Sequence, residues 1–164
     1  MPIIASDIQY RLSGGAANAA ALASVGGAKS ATAAPVGVFD DVSGAESAAG
    51  DVEYRCIYVH NNHATLVSQL AVLWILANTP SADTTIDVAL GTSAINGVEQ
   101  AVADETVAPA GVAWTAAATV GAAIALGNIP AGQHRAVWLR RTINVAAAAV
   151  NDTFSLRVQA DTAP

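Results

Sequence analysis

His60 and His63 stand three residues apart at the end of a strand-like run that also holds Cys56, the chain's single cysteine. The pair invites a metal-site reading, and the cysteine a nucleophilic one. Neither is expected to hold. Across a strand-to-loop junction the two imidazoles do not converge on one ion, and no cysteine or carboxylate cluster completes a ligand set. Cys56 and His60 share a strand face two pleats apart, so roughly 13 Å separates their backbones. Between Tyr54 and Tyr58, Cys56 reads as a small buried hydrophobe.

The acids are no more suggestive. Asp40-Asp41 and Asp104-Glu105 are sequence neighbours in loops, where side chains usually diverge into solvent. Asp40, Asp41, Glu46 and Asp51 lie within one flexible stretch, which leaves a loop calcium site open. No G-x-S-x-G elbow occurs, and GGAANAAALASVGG lacks the lysine and the strand–helix context of a phosphate cradle. Asn151-Asp152-Thr153 fits the glycosylation sequon, but no secretion signal accompanies it. The expectation is a protein without catalytic residues, cofactor or metal.

The stretch GQHRAVWLRRTIN (132–144) concentrates three of the seven basic residues, Arg135, Arg140 and Arg141, beside Trp138. Arginine with an aromatic is what a nucleic-acid reader presents. Alternation on a strand splits them, however: Arg140 shares a face with Trp138, while Arg135 and Arg141 share the other. A phosphate-binding stripe needs its bases on one face. Arg55 and Arg157 also sit mid-strand, near Glu53 and Gln159. These arginines therefore read as cross-strand pairing and stacking partners, or as contacts to a neighbouring subunit.

The totals agree. Thirteen acids against seven bases give a net charge of −6 and a pI near 4.7, the wrong balance for a phosphate binder. No direct nucleic-acid contact is expected. About a quarter of the chain is alanine, which buries little area, so the 53% hydrophobic fraction overstates the core. Only 12% of residues are charged, sparse for a free monomer, and such a surface suits coverage by neighbours. One cysteine excludes an intrachain disulfide. No positively charged start leads into an apolar segment, and LAVLWILA (70–77) is too short to span a bilayer as a helix. The sequence predicts a soluble protein made in a reducing cytoplasm, with no membrane partner.

The elements that must position these residues fall into two regions: an N-terminal arm and loop over 1–51, and a β-sandwich domain over 52–164. DIQYRL (7–12) opens as a strand. GGAANAAALASVGGAKSATAAP (14–35) is bracketed by Gly14-Gly15 and Gly26-Gly27 and is read as an extended arm that orders on a partner, with a short helix as the alternative. FDDVSGAESAAGD (39–51) continues as acidic loop. From residue 52 short β-type runs alternate with turns. VEYRCIYVH (52–60) places Tyr54, Cys56, Tyr58 and His60 on one face, and Glu53, Arg55, Ile57 and Val59 on the other. TLVSQLAVLWILA (65–77), TTIDVALGTS (84–93), AIALGNI (123–129), HRAVWLRRTINV (134–145) and TFSLRVQAD (153–161) follow. Further β-like tracts carry Val102, Val107, Val112, Trp114 and Val120. No helix-length crossover lies between these strands, so the fold class predicted is all-β: an antiparallel β-sandwich or jelly roll with an extended Gly/Ala-rich N-terminal arm.

Four segments carry a resemblance: ASDIQYRLSGGAAN (5–18), FDDVSGAESAAGDVEYRCIYVHN (39–61), TPSADTTIDVALGTSAING (79–97) and IPAGQHRAVWLRRTIN (129–144). Together they resemble small virion structural proteins of tailed bacteriophages, similar to capsid cement or decoration proteins. The resemblance implies a non-enzymatic jelly-roll protein made in the host bacterial cytoplasm and located on the capsid surface of the virion. It would bind across major capsid subunits, as a homo-dimer or homo-trimer. The interaction residues named on this basis are Arg11, Leu22, Val25 and Lys29 in the arm and Phe39 where it meets the body. A tail or baseplate component is the nearest alternative. A carbohydrate-binding sandwich is another, with Trp114 as its platform, since Trp74 and Trp138 lie inside apolar runs expected to be core.

Overall fold

In the computed structural model, residues 2–35, 37–79, 81–147 and 153–162 are described. Its longest ladder joins β3 (Asp51–Asn61) to β8 (His134–Ile143), antiparallel, with Cys56 opposite Trp138 and His60 opposite His134. β1 (Ile8–Leu12) pairs with the second half of β3, and β5 (Thr84–Leu90) with β8. These four form one sheet in the order β1-β3-β8-β5. A second sheet has the order β7-β4-β9, built from β4 (Ser68–Ala77), β7 (Ile124–Ile129) and β9 (Ser155–Thr162). A two-stranded ribbon pairs β2 (Gly26–Gly27) with β6 (Glu99–Ala101). All pairings among these strands are antiparallel, and the chain is all-β with almost no helix.

Alternation decides what each face buries. Ile57 and Val59 of β3, Val137 and Leu139 of β8, and Ile86 and Val88 of β5 point one way. They meet Ala71, Leu73 and Ile75 of β4 and Leu126 and Ile129 of β7 in one apolar cluster. β9 contributes Leu156, Val158 and Ala160 to its margin while Ser155, Arg157, Gln159 and Asp161 face out. The other face of the four-stranded sheet is buried too. Cys56, Tyr58, Ala89, Ala136 and Trp138 form a second cluster under Val102, Val112 and Trp114. The central strands are therefore covered on both sides, which is why β3 is buried almost without interruption from Glu53 to Asn61.

The N-terminal segment lies on this second face. Leu12 is fully buried, and its N–H donates to Thr32 O while its carbonyl accepts from Ser30 N–H. Ser13, Ser24 and Ser30 are buried as well. Beyond the end of β1, the Ser24 carbonyl accepts from Cys56 N–H at 2.7 Å and the Glu105 carbonyl from Tyr54 N–H at 2.7 Å. Residues 14–35, read from sequence as an extended arm, thus bond to the chain's own body. The glycines are what permit the approach. Gly26 has φ +96°, and a Cβ there would stand 1.9 Å from Gln100 O, closer than any side chain tolerates.

Two further segments differ from expectation. The loop 39–51 contains a short helix, α1 (Gly44–Ala49), capped by Ser43, whose hydroxyl accepts from Glu46 N–H while the Glu46 carboxylate accepts from Ser43 N–H. That reciprocal pair satisfies donors an uncapped helix start would leave open. The tracts between 101 and 120 contribute the end of β6 and a single bridge between Thr115 and Val88, and are otherwise irregular covering for the four-stranded sheet. The sequon at 151–153 lies largely outside the described residues.

Candidate functional site

At one end of the inter-sheet cluster the apolar pattern of β3 and β8 gives way to charge. Glu53 and Arg55 project from the same face as Ile57, and Arg141 from the same face as Leu139; Glu53 and Arg141 are directly opposite in register. Arg55 is fully buried and Glu53 is 1% exposed. Such charges are tolerated inside only when paired and hydrogen-bonded. The Arg141 guanidinium donates to Glu53, and Arg55 donates to Glu105. Asp40 lies 3.8 Å from Arg55 and 3.4 Å from Arg141, bridging them.

The same two arginines hold the chain segment that closes the core. Arg55 Nε donates to Val38 O at 3.1 Å, and Arg141 Nη1 donates to Asp40 O at 2.6 Å. Between these carbonyls sits Phe39, with Arg141 4.9 Å and Arg55 5.6 Å from its ring centroid. Phe154 packs edge-on at 6.3 Å. Asp40, Glu53 and Glu105 are close enough together to hold a cation. Their carboxylates already face two guanidinium groups, so the arrangement fits internal charge neutralisation. Burial pushes the Glu53 carboxyl above its ordinary range, against the pull of Arg141.

On the opposite face Tyr58 performs a similar clamping role with neutral groups. Its hydroxyl donates to Gly27 O at 2.6 Å and accepts Glu99 N–H at 2.9 Å, tying both ribbon strands to β3. Glu99 is itself buried. Its carboxylate accepts from Thr92 N–H, the Thr92 hydroxyl and Ser93 N–H at 2.8–3.1 Å. Burial disfavours the charge, but the donors of Ser93 and Thr92 outweigh it and bring the Glu99 pKa down to about 2.

Arg135, Arg140 and Arg141 are all engaged within the chain. Arg135 donates to Ser93 O, and Arg140 pairs with Asp87 at 2.5 Å while lying 4.9 Å over the Trp114 ring. Arg140 and Arg141 diverge to opposite faces, as the alternation implied, and Trp138 is fully buried. Sequence reasoning missed two acids of the cluster: Asp40, which lies between Arg55 and Arg141, and Glu105, which pairs with Arg55, come from separate loops that only the fold brings together.

The residues singled out for interaction are dispersed. Leu22 is 51% exposed. Val25 is half-buried, with its carbonyl accepting from Val102 N–H. Arg11 is bound to Ala31 O and Gln9. Phe39 is packed between the arginines described above. Lys29 lies close enough to Arg11 for the two cations to oppose each other. Both also bear on His60, whose Nδ1 is 3.1 Å from Gln133 O. His63 Nδ1 accepts instead from Thr65 and Leu66 N–H, turning the loop locally, so the two histidines serve separate contacts. Cys56 is fully buried, and burial pushes its thiol far up, the opposite of an activated nucleophile. Trp74 is core, and Trp114 is half-buried against Tyr54 with Arg140 over its ring. No helix among the described residues is long and apolar enough to cross a membrane. No family model, curated protein or solved structure matches this chain.

Two predictions follow from the charge placements. Arg141→Met leaves Glu53 buried without its partner and is expected to destabilise the fold by about 3–5 kcal/mol. Adding Glu53→Leu should recover most of that loss in urea melts, whereas additive losses would contradict the pairing. The second concerns pH. Burial and neighbouring cations lower the pKa of His60 and His134 from 6.5, so the unfolded chain takes up those protons first. Stability should be full above about pH 6.5 and decline below it. Glu99, ordinarily at 4.5 and here at about 2, adds a second decline between those values, worth on the order of 2–3 kcal/mol. Urea melts titrated into acid should show both steps, with Glu99→Gln flattening the lower and His134→Asn reducing the upper.

Proposed function

We propose that the protein is a non-enzymatic structural component of a phage virion, a cement or decoration protein that binds across major capsid subunits and stabilises the head. The observation that carries this reading is where the charged chemistry goes. Every arginine among the described residues is hydrogen-bonded to the chain's own groups or stacked on one of its rings. The buried acids are consumed in the same way. What remains outside, beside exposed acids such as Asp41, Asp104 and Asp161, is small residues with isolated apolar side chains, Ile4, Leu22, Val98 and Val120 among them. A surface of that kind gains by being covered. The resemblance of four sequence segments to phage virion proteins supplies the context.

The body is read as a jelly-roll-like sandwich. Supporting this, successive strands of the two larger sheets alternate between them from β3 onward, and both sheets feed one apolar cluster. The N-terminal segment serves as a clamp while remaining anchored to its own body, since β1 is part of the four-stranded sheet. Contact with the capsid would then come from its outward side, with Leu22 at the centre. The carbohydrate reading is less well supported, because the Arg140 guanidinium lies over the Trp114 ring where a sugar would stack.

The test is co-sedimentation with mature empty phage heads lacking the protein. Deleting residues 1–35 would strip β1 from its sheet and confound the result, so a point variant is preferable. The expected outcome is saturable binding that Leu22→Glu weakens about tenfold or more, with an unchanged melting temperature. Absence of binding to heads would overturn the capsid assignment and direct the same assay to tail fractions.

A further inference from the structure

The two sheets end in four edges, and they are not treated alike. The free edge of β5 is covered where Val88 and Thr115 exchange backbone hydrogen bonds at 2.9 Å in both directions, and Asn78 takes the Ile86 N–H. That of β1 is covered by residues 30–34, through Ser30, Thr32 and Ala34. β7 is short, with Gly127 at φ +81° and an irregular register against β4. β9 differs from all three. It is eight residues long, alternates cleanly between half-buried and exposed positions, and among the described residues pairs only with β4. Among the described residues no backbone hydrogen bond reaches its other edge. A long bare edge is a template for another strand.

We propose that β9 is the contact by which two copies of this chain pair, edge to edge and antiparallel, about a two-fold axis through Gln159. The charges of the strand specify the partner. Arg157 and Asp161 both stand on the exposed face, and neither has an ion pair among the described residues. Antiparallel pairing centred on Gln159 sets Arg157 of each copy opposite Asp161 of the other, giving two identical attractive pairs. The axis demands this self-complementarity, and two residues of opposite charge placed symmetrically about Gln159 provide it. On the inward face the same register opposes Val158 to Ala160 and Leu156 to Thr162, extending the apolar side of the sheet without a charge.

Arg157 is already positioned, its guanidinium 5.8 Å from the Trp74 ring centroid on β4. Beside the edge a groove runs between residues 157–161 and the N-terminal Ile3, Ile4 and Ile8. Ile4 is 59% exposed there and offers apolar surface to an incoming strand. The two copies would share one continuous six-stranded sheet, β7-β4-β9 and its symmetry mate. This pairing stands apart from the capsid reading, since it needs no shell.

The test is the mass of the purified full chain by light scattering over a concentration series. The expected result is a monomer–dimer equilibrium. Arg157→Glu alone and Asp161→Arg alone each place like charges opposite and should raise the dissociation constant tenfold or more. The double variant Arg157→Glu/Asp161→Arg, which swaps the charges, should restore it. Independently, Gln159→Cys should form a disulfide-linked dimer on mild oxidation, because residues directly opposite in an antiparallel pair lie within disulfide reach. Ser155→Cys should not, and the buried Cys56 supplies no background. Melting curves check that the exposed substitutions leave the fold intact. A monomer at every concentration would overturn the proposal. So would a dimer indifferent to the single reversals, or one not restored by the swap.

Discussion

A strand buried on both faces has nowhere to send a charge, and β3 and β8 are such strands. Among the charges they carry are Glu53, Arg55, Arg140 and Arg141, and much of the covering structure serves to answer these groups. The 38–40 segment is held by the carbonyls of Val38 and Asp40 on Arg55 and Arg141. Glu105 brings the covering loop of the second face to Arg55. Asp87 answers Arg140 from the neighbouring strand. Removing one member of such a network leaves another charge stranded in a low-dielectric interior, so the loops are bound to the sheet by the desolvation their departure would impose.

The opposite face is held by a different device with the same logic. Tyr58 reaches out of the apolar cluster to one carbonyl and one amide of the ribbon strands, and Glu99 spends its carboxylate on local donors. The close approach this needs is possible because Gly26 carries no side chain. The alanine and glycine of the N-terminal segment thus have a packing role within the chain, whatever covers their outer side.

Much of the fold is legible in the residues. The alternation of 52–60 assigns faces to Tyr54 through His60 that the structure keeps, and the split of Arg140 from Arg141 follows from the same period of two. The β-type runs at 123–129 and 134–145 appear as β7 and β8. What was not legible depends on partners distant in sequence. Burial of Cys56 is read locally from its place between Tyr54 and Tyr58, but what covers that face is not, because the cover comes from residues 99–115 with little regular structure of their own. The helix α1 was present as a Ser43–Glu46 capping box, but six residues with glycine at both ends resemble a loop. Leu70 sits mid-strand in an apolar run yet is 71% exposed, because a bulge at φ +49° turns it outward. The functional reading likewise rests on residues that are exposed and unpaired, and sequence alone does not separate these from the buried majority.

If the doubly covered β3–β8 pair is the element on which the rest depends, its amides should be the last to open. Native-state hydrogen exchange under conditions where opening is local tests this directly. The account predicts the slowest exchange in 53–60 and 135–141, near the global unfolding free energy, with β9 and the 102–115 cover exchanging at lower opening energies. Equal or greater protection in β4 and β7, with β3 and β8 opening first, would contradict it.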